Sequence, residues 1–231
     1  MDGFHGPGGG EYLQEVRTTD TPKQMRLVTG IFRTSSLLVA VLALALTGVC
    51  KAADISHMPI GDGSAGFIIV AGELNQSDEK KFNLIAQRYT KGAVLFVSPG
   101  GNLVAGIEIG RIIRLCNFAT GVAPKTRCAS ACALAWLGGT QRFLSSTSLI
   151  GFHAASVVDK SGATESGLGN AIVGAYLTTL GLPLSAVIYI AKSPPDEITW
   201  LNVSDAKQVG IDVSLLDLTP PGSSKEPKPS K

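Results

Sequence analysis

A serine hydroxyl becomes a useful nucleophile only when a neighbouring base takes its proton. Histidine is the side chain best suited to that near neutral pH. The chain has 231 residues and three histidines. His5 falls in a glycine-rich start, and His57 lies just past a segment read below as cleaved, where chain ends are usually loose. Only His153 is deep in the folded part, so a Ser–His mechanism would have to use it. The best-placed serine is Ser130, in the run Arg127-Cys128-Ala129-Ser130-Ala131-Cys132-Ala133. These small residues sit at an expected strand-to-helix junction. Taken singly, Ala-Ser-Ala also suits close packing or helix capping, and His153 also suits a hydrogen-bonded core histidine.

Acyl transfer further needs backbone N–H groups aimed at the developing oxyanion. The turn Ser98-Pro99-Gly100-Gly101 fits that need. Proline stiffens it and glycine lets backbone approach a substrate closely. Ala131, the residue after the serine, offers a second donor at a helix N-terminus. A tight strand–helix turn would use the same Pro-Gly-Gly.

Alternating elements must bring these pieces together. Gly66–Gly72 reads as a short buried strand and Ala93–Val97 as a second. Ser77 is expected to cap a helix running to about Lys91, and Asn102 to open one through about Cys116. A strand near Val122–Arg127 delivers the chain to Ser130, and a helix follows over Ala131–Leu137. Arg142-Phe143 and Leu149–His153 read as strands. Helices are expected over Gly167–Leu180, from Pro183 to before Pro194, and over Asp205–Gln208 with Gly210 as its cap. Strand–helix alternation of this kind predicts an α/β domain over 54–218.

Hydrophobic residues at 45% and charged residues at 16% exclude disorder of the whole chain. A net charge of +2, carried by scattered basic residues, gives no footprint for nucleic acid. Residues 1–24 read as disordered or as an artefact of start assignment, with Met25 the true start. Arg26 and Arg33, the uncharged apolar run Leu37–Val49 and the small residues after it lay out a secretory signal peptide over 25–53. The run is shorter than the roughly 20 residues a spanning helix needs. The expected location is periplasmic or secreted, the alternative being an uncleaved membrane anchor with an extracytoplasmic domain. Residues 219–231, rich in Pro, Ser and Lys, read as a disordered tail.

In an oxidising compartment Cys128 and Cys132, flanking Ser130, can close a disulfide that braces the turn. Cys116 is expected too far from Cys128 to join them. Three small buried thiols are the other reading. No zinc-ligand spacing is present, and no cofactor is called for.

The order Ser98-Pro99-Gly100-Gly101, Ala129-Ser130-Ala131, Arg142-Phe143 and Ile150-Gly151-Phe152-His153 resembles the proteolytic subunit of Clp protease, within the wider crotonase-like fold. The resemblance covers about Gly66 to Leu216. It implies a spiral of ββα units, with Ser130 as nucleophile, His153 as base, and Gly100 and Ala131 as oxyanion hole. It also implies an acid shortly before Trp200-Leu201-Asn202-Val203. Ungapped counting lands on Ile198, so the choice is Asp196, with Glu197 beside it; plain solvated charges at both are the other reading.

The region between His153 and Trp200 is shorter than in that family and lacks its long charged helix. An extracytoplasmic chain would also have no cytoplasmic ATPase partner. The expectation is therefore a stand-alone relative, a serine hydrolase acting on a peptide or protein, with self-association into a homo-oligomer allowed. Two other functions compete. One is a non-catalytic binding module on the same fold; the other is an acyl-CoA enzyme of crotonase type, which an extracytoplasmic location disfavours.

Overall fold

The computed structural model describes residues 52–160 and 162–216. The polar start, the C-terminal tail and all but the last two residues of the expected signal segment lie outside them.

The main sheet begins with β1 (Asp54–Ile60), which pairs antiparallel with β2 (Ala65–Ala71). A loose chain end is the expectation for this region. It is instead a seven-residue strand, and His57 Nδ1 lies 2.6 Å from the Tyr89 hydroxyl. Parallel pairing then continues from β2 to β3 (Lys91–Val97), β4 (Ala119–Val122), β6 (Arg142–Leu144) and the short β11 (Ser214–Leu215). Alternation along β2 decides which face is core. Ile68 and Val70 are buried, while Phe67 and Ile69 stay exposed over an apolar groove shared with Met58, Leu95 and Phe143.

A second sheet has the order β10 (Thr199–Leu201), β7 (Leu149–Phe152), β5 (Arg127–Ala129). The single strand expected over Val122–Arg127 is thus two strands in two sheets. Pro124 has no N–H to give a ladder. Lys125 takes φ 60°, and Thr126 N–H turns back to the Ala123 carbonyl at 3.2 Å. The chain breaks there and β5 starts in a new plane. Because β4 and β6 lie in one sheet while β5 and β7 lie in the other, the backbone winds as a spiral of ββα turns, as the resemblance implied.

Helices fill the inner side. In α1 (Asp78–Ala86) Ser77 holds the expected N-cap position but does not act as a cap. Ser77 sits at φ 78° and makes no capping bond, whereas the buried Asp78 carboxylate accepts from Asn75 N–H at 2.7 Å and Ala53 N–H at 3.3 Å. The helix also stops short of Lys91, where β3 begins. The next helix, α2 (Leu103–Leu115), is capped by Asn102, whose side chain accepts from Ala105 N–H at 2.9 Å. It lies directly against α3 (Ala131–Leu137), and a Cβ at Gly106 would collide with the Ala131 carbonyl. Helix α3 is therefore seated on backbone.

Arg142 pins the far end of α3. Its Nε donates to the Leu137 carbonyl at 2.9 Å; burial first, then the nearby Arg114 charge, lowers its guanidinium to about 10. After β7 the hairpin β8 (Ser156–Asp159) and β9 (Gly162–Glu165), unforeseen in the sequence, leads to α4 (Gly167–Thr179). Helices α5 (Leu184–Ala191) and α6 (Val203–Val209) complete the layer. Phe82, Phe96, Ile109, Trp136 and Phe152 form the heart of one core.

Candidate active site

Ser130 stands alone between β5 and α3, with φ 55° and ψ −128°. An L-residue pays roughly 1–3 kcal/mol for such a backbone, so neighbours must hold it there. Ser98 N–H donates to the Arg127 carbonyl and Ala129 N–H to the Ser98 carbonyl, both at 3.1 Å. Ser130 N–H donates to the Gly151 carbonyl at 2.8 Å, and Leu134 N–H to the Ser130 carbonyl at 3.2 Å. Cys128 and Cys132 are fully buried and disulfide-bonded, their Cα atoms 5.3 Å apart. The disulfide is thus the arrangement found, and Cys116 is left a free thiol, raised by burial.

His153 follows directly on β7. Its Nδ1 is 2.8 Å from the Ala154 carbonyl. A carbonyl only accepts, so Nδ1 carries the proton and Nε2 of the neutral ring is the basic nitrogen. The next residues are held on both sides. Ala154 N–H donates to the Ser193 carbonyl at 2.8 Å and Ala155 N–H to Asn170 Oδ1 at 2.7 Å. Asn170, which the sequence did not single out, is itself fixed by Glu165 at 2.6 Å.

Ser130 and His153 line one cavity of about 350 Å³. Among the described residues no hydrogen bond joins them. Catalytic hydrogen bonds are commonly long before substrate binds, so shared lining rather than contact is the relevant geometry.

Of the two expected oxyanion donors, Ala131 N–H opens α3 on the cavity wall and has no partner among the described residues. Gly100 is different. Its N–H is spent on Ser98 Oγ at 3.1 Å, and its carbonyl accepts from Leu74 N–H at 2.7 Å. Gly101 is the residue that lines the cavity, and its N–H is not engaged by any described residue. The pairing explains the shift of one. Gly100 and Asn102 both bond to Leu74, and successive groups of an extended chain point to opposite sides, which turns Gly101 N–H away from Leu74. Gly100 matters for approach instead: at φ +105°, a Cβ there would lie 2.6 Å from the Ala129 carbonyl and 2.7 Å from Ser130 Cβ.

Asp196 is not brought to His153. It is exposed, as is Glu197, and neither lines the cavity. The Ala154 carbonyl occupies the position at Nδ1 where a triad acid would act. Among the described residues no Asp, Glu, Lys or Arg lines the cavity, whose wall is Leu134, Phe152, Val173, Leu177, Val187 and Ile190 with Asn102 and Asn170 as polar points. An uncharged, apolar side chain fits it best. The whole arrangement can present a hydroxyl, a proton acceptor and two N–H donors to one carbonyl group.

No family model matches the chain, and no curated protein matches it. Solved structures do. A mutant of the 1510-N membrane-bound stomatin-specific protease superposes with a TM-score of 0.52 at 17% identity, covering 67% of this chain and 79% of that one. A second mutant, in complex with a substrate peptide, gives 0.52 at 18% identity over 67% and 74% of the two chains. ClpP1 from Listeria monocytogenes gives 0.50 at 17% identity over 65% and 92%. The fold is the Clp-protease-like one.

Proposed function

We propose that the protein is a serine peptidase. One observation carries the reading: Ser130, strained at a strand-to-helix elbow, lines the same cavity as His153, Gly101 and Ala131, and the N–H groups of Gly101 and Ala131 have no partner among the described residues. The similar solved structures, two of a protease and one holding a substrate peptide, support peptide as the substrate class.

In this reading Ser130 Oγ attacks the scissile carbonyl while His153 Nε2 accepts its proton. The Gly101 and Ala131 N–H groups receive the negative oxygen. His153 then returns the proton to the leaving amine, and water, activated by the same nitrogen, hydrolyses the acyl-serine. The Ala154 carbonyl keeps the ring in the required tautomer, the task a carboxylate performs in a triad. The apolar wall takes an uncharged side chain beside the cleaved bond. The segment 25–53 supports an extracytoplasmic setting, as does a buried disulfide.

Labelling with a fluorophosphonate probe tests the assignment. Wild type is expected to be modified at Ser130 and Ser130→Ala to stay unlabelled; equal labelling of both would overturn it. A binding module on the same fold is the second reading, favoured by the absence, among the described residues, of a Ser130–His153 hydrogen bond and of a carboxylate at the cavity. It predicts peptide retention without turnover by wild type and by Ser130→Ala alike.

A further inference from the structure

The half-cystines stand two residues to either side of Ser130, one in β5 and one in the first turn of α3. Their sequence separation of four closes a very small loop. Small loops contribute least to global stability, because the chain entropy removed grows with loop length. The effect of this bridge is therefore local, and the local feature it encloses is Ser130.

Within the enclosed span, Ala129 belongs to β5 and is tied to Ser98, while Ala131 is already helical. Only residue 130 departs from strand and helix geometry. Fixing Cys128 against Cys132 thus fixes the reversal at Ser130 directly. Apart from the bridge, the N–H of Ser130 has one bond to the rest of the domain, to the Gly151 carbonyl. With the bridge open, the start of α3 keeps its seat against Gly106 but loses its covalent tie to β5, and residue 130 can relax toward an ordinary backbone. Such a shift displaces Oγ and turns Ala131 N–H together, so nucleophile and oxyanion donor are lost in one movement.

We propose that the Cys128–Cys132 disulfide is a positioning element for Ser130, holding it reactive while closed and letting it fall idle when opened. The proposal rests on the peptidase reading for its kinetic consequence but not for its structural one. Opening is done with a water-soluble trialkylphosphine. The S–S bond breaks, phosphorus takes the oxygen of water to become phosphine oxide, and the two protons end on the two thiols.

The full chain with Cys116→Ser is compared in three forms: oxidised, folded in the presence of the phosphine, and carrying Cys128→Ala with Cys132→Ala. Opening or removal of the bridge is expected to slow fluorophosphonate labelling at least about tenfold and to lower kcat while KM stays within about twofold. The amide resonances of Ser130 and Ala131 should move while those of Val70 and Phe96, in the core of the main sheet, stay in place. Unchanged labelling together with unchanged Ser130 and Ala131 resonances overturns the proposal. So does collapse of the whole spectrum in both opened forms, since the bridge would then hold the fold and not the elbow. If the oxidised protein fails to label at all, the peptidase reading fails on its own. The amide resonances then decide the positioning role, for it or against it.

Discussion

The N–H of Ser130 donates to the carbonyl of Gly151 at 2.8 Å, two positions before His153 in the chain. The separation of Ser130 and His153 is thereby set through backbone, by the pairing of β5 with β7, and only secondarily by the side chains.

That dependence can be tested at Gly151. A Cβ there would lie 2.6 Å from Ile198 Cγ2 and 2.7 Å from Trp200 Cζ3, so β10 must yield. Gly151→Ala is expected to cost about 1–3 kcal/mol of stability, the scale of overpacking. Chemical denaturation measures it. Labelling of Ser130 should slow as well, because the displaced β7 carries His153. A fully stable variant with unchanged labelling would contradict this coupling.

Ser130 itself should trade stability against activity. Glycine accepts φ 55° and ψ −128° without the penalty of a side chain. Ser130→Gly is expected to gain about 1 kcal/mol in denaturation while losing all probe labelling. Ser130→Ala should lose turnover by at least about 10³ without that gain.

The exposed loop carboxylates should matter little. Removing the buried acid of a triad costs on the order of 10⁴ in kcat. Asp196→Asn and Glu197→Gln are each expected to stay within about tenfold of wild type in kcat/KM, because the Ala154 carbonyl holds His153 Nδ1. A loss on the triad scale for either one would mean that its loop closes onto His153 during turnover.

Alkaline stability offers a check away from the site. Burial first, and the Asp205 carboxylate second, raise the Tyr189 hydroxyl from 10.0 to about 12. It donates to the Trp200 carbonyl at 2.8 Å. The unfolded chain releases this proton near its ordinary value, before the folded protein does. The stability contributed is therefore whole below pH 10, declines as pH rises above it, and is lost by about 12. Tyr189→Phe should flatten that decline, as measured by denaturation at a series of alkaline pH values.

Much of this was legible in the residues. β2, β3 and α2 carry apolar patterns with clear boundaries, and small residues around Ser130 mark the elbow. Ser130 and His153, paired by elimination among three histidines, do share a cavity. Other features depend on pairing partners that a linear reading does not see. β1 has a mixed pattern because much of it is exposed, and the hairpin β8–β9 has no core face to announce it. The N–H left free at the cavity is that of Gly101 and not Gly100, because Gly100 N–H is spent on Ser98 Oγ and the bonds to Leu74 turn Gly101 N–H away from it. The acid depended on the path of an exposed loop, which periodicity does not encode.

The break at Pro124-Lys125 has a mechanical side. It sends consecutive strands into different sheets, and an isolated bridge between Ser98 and Cys128 is a stitch across that seam. Ser130 sits two residues beyond the stitch. Any sliding of one sheet past the other would therefore reach the serine within a few bonds of the stitch.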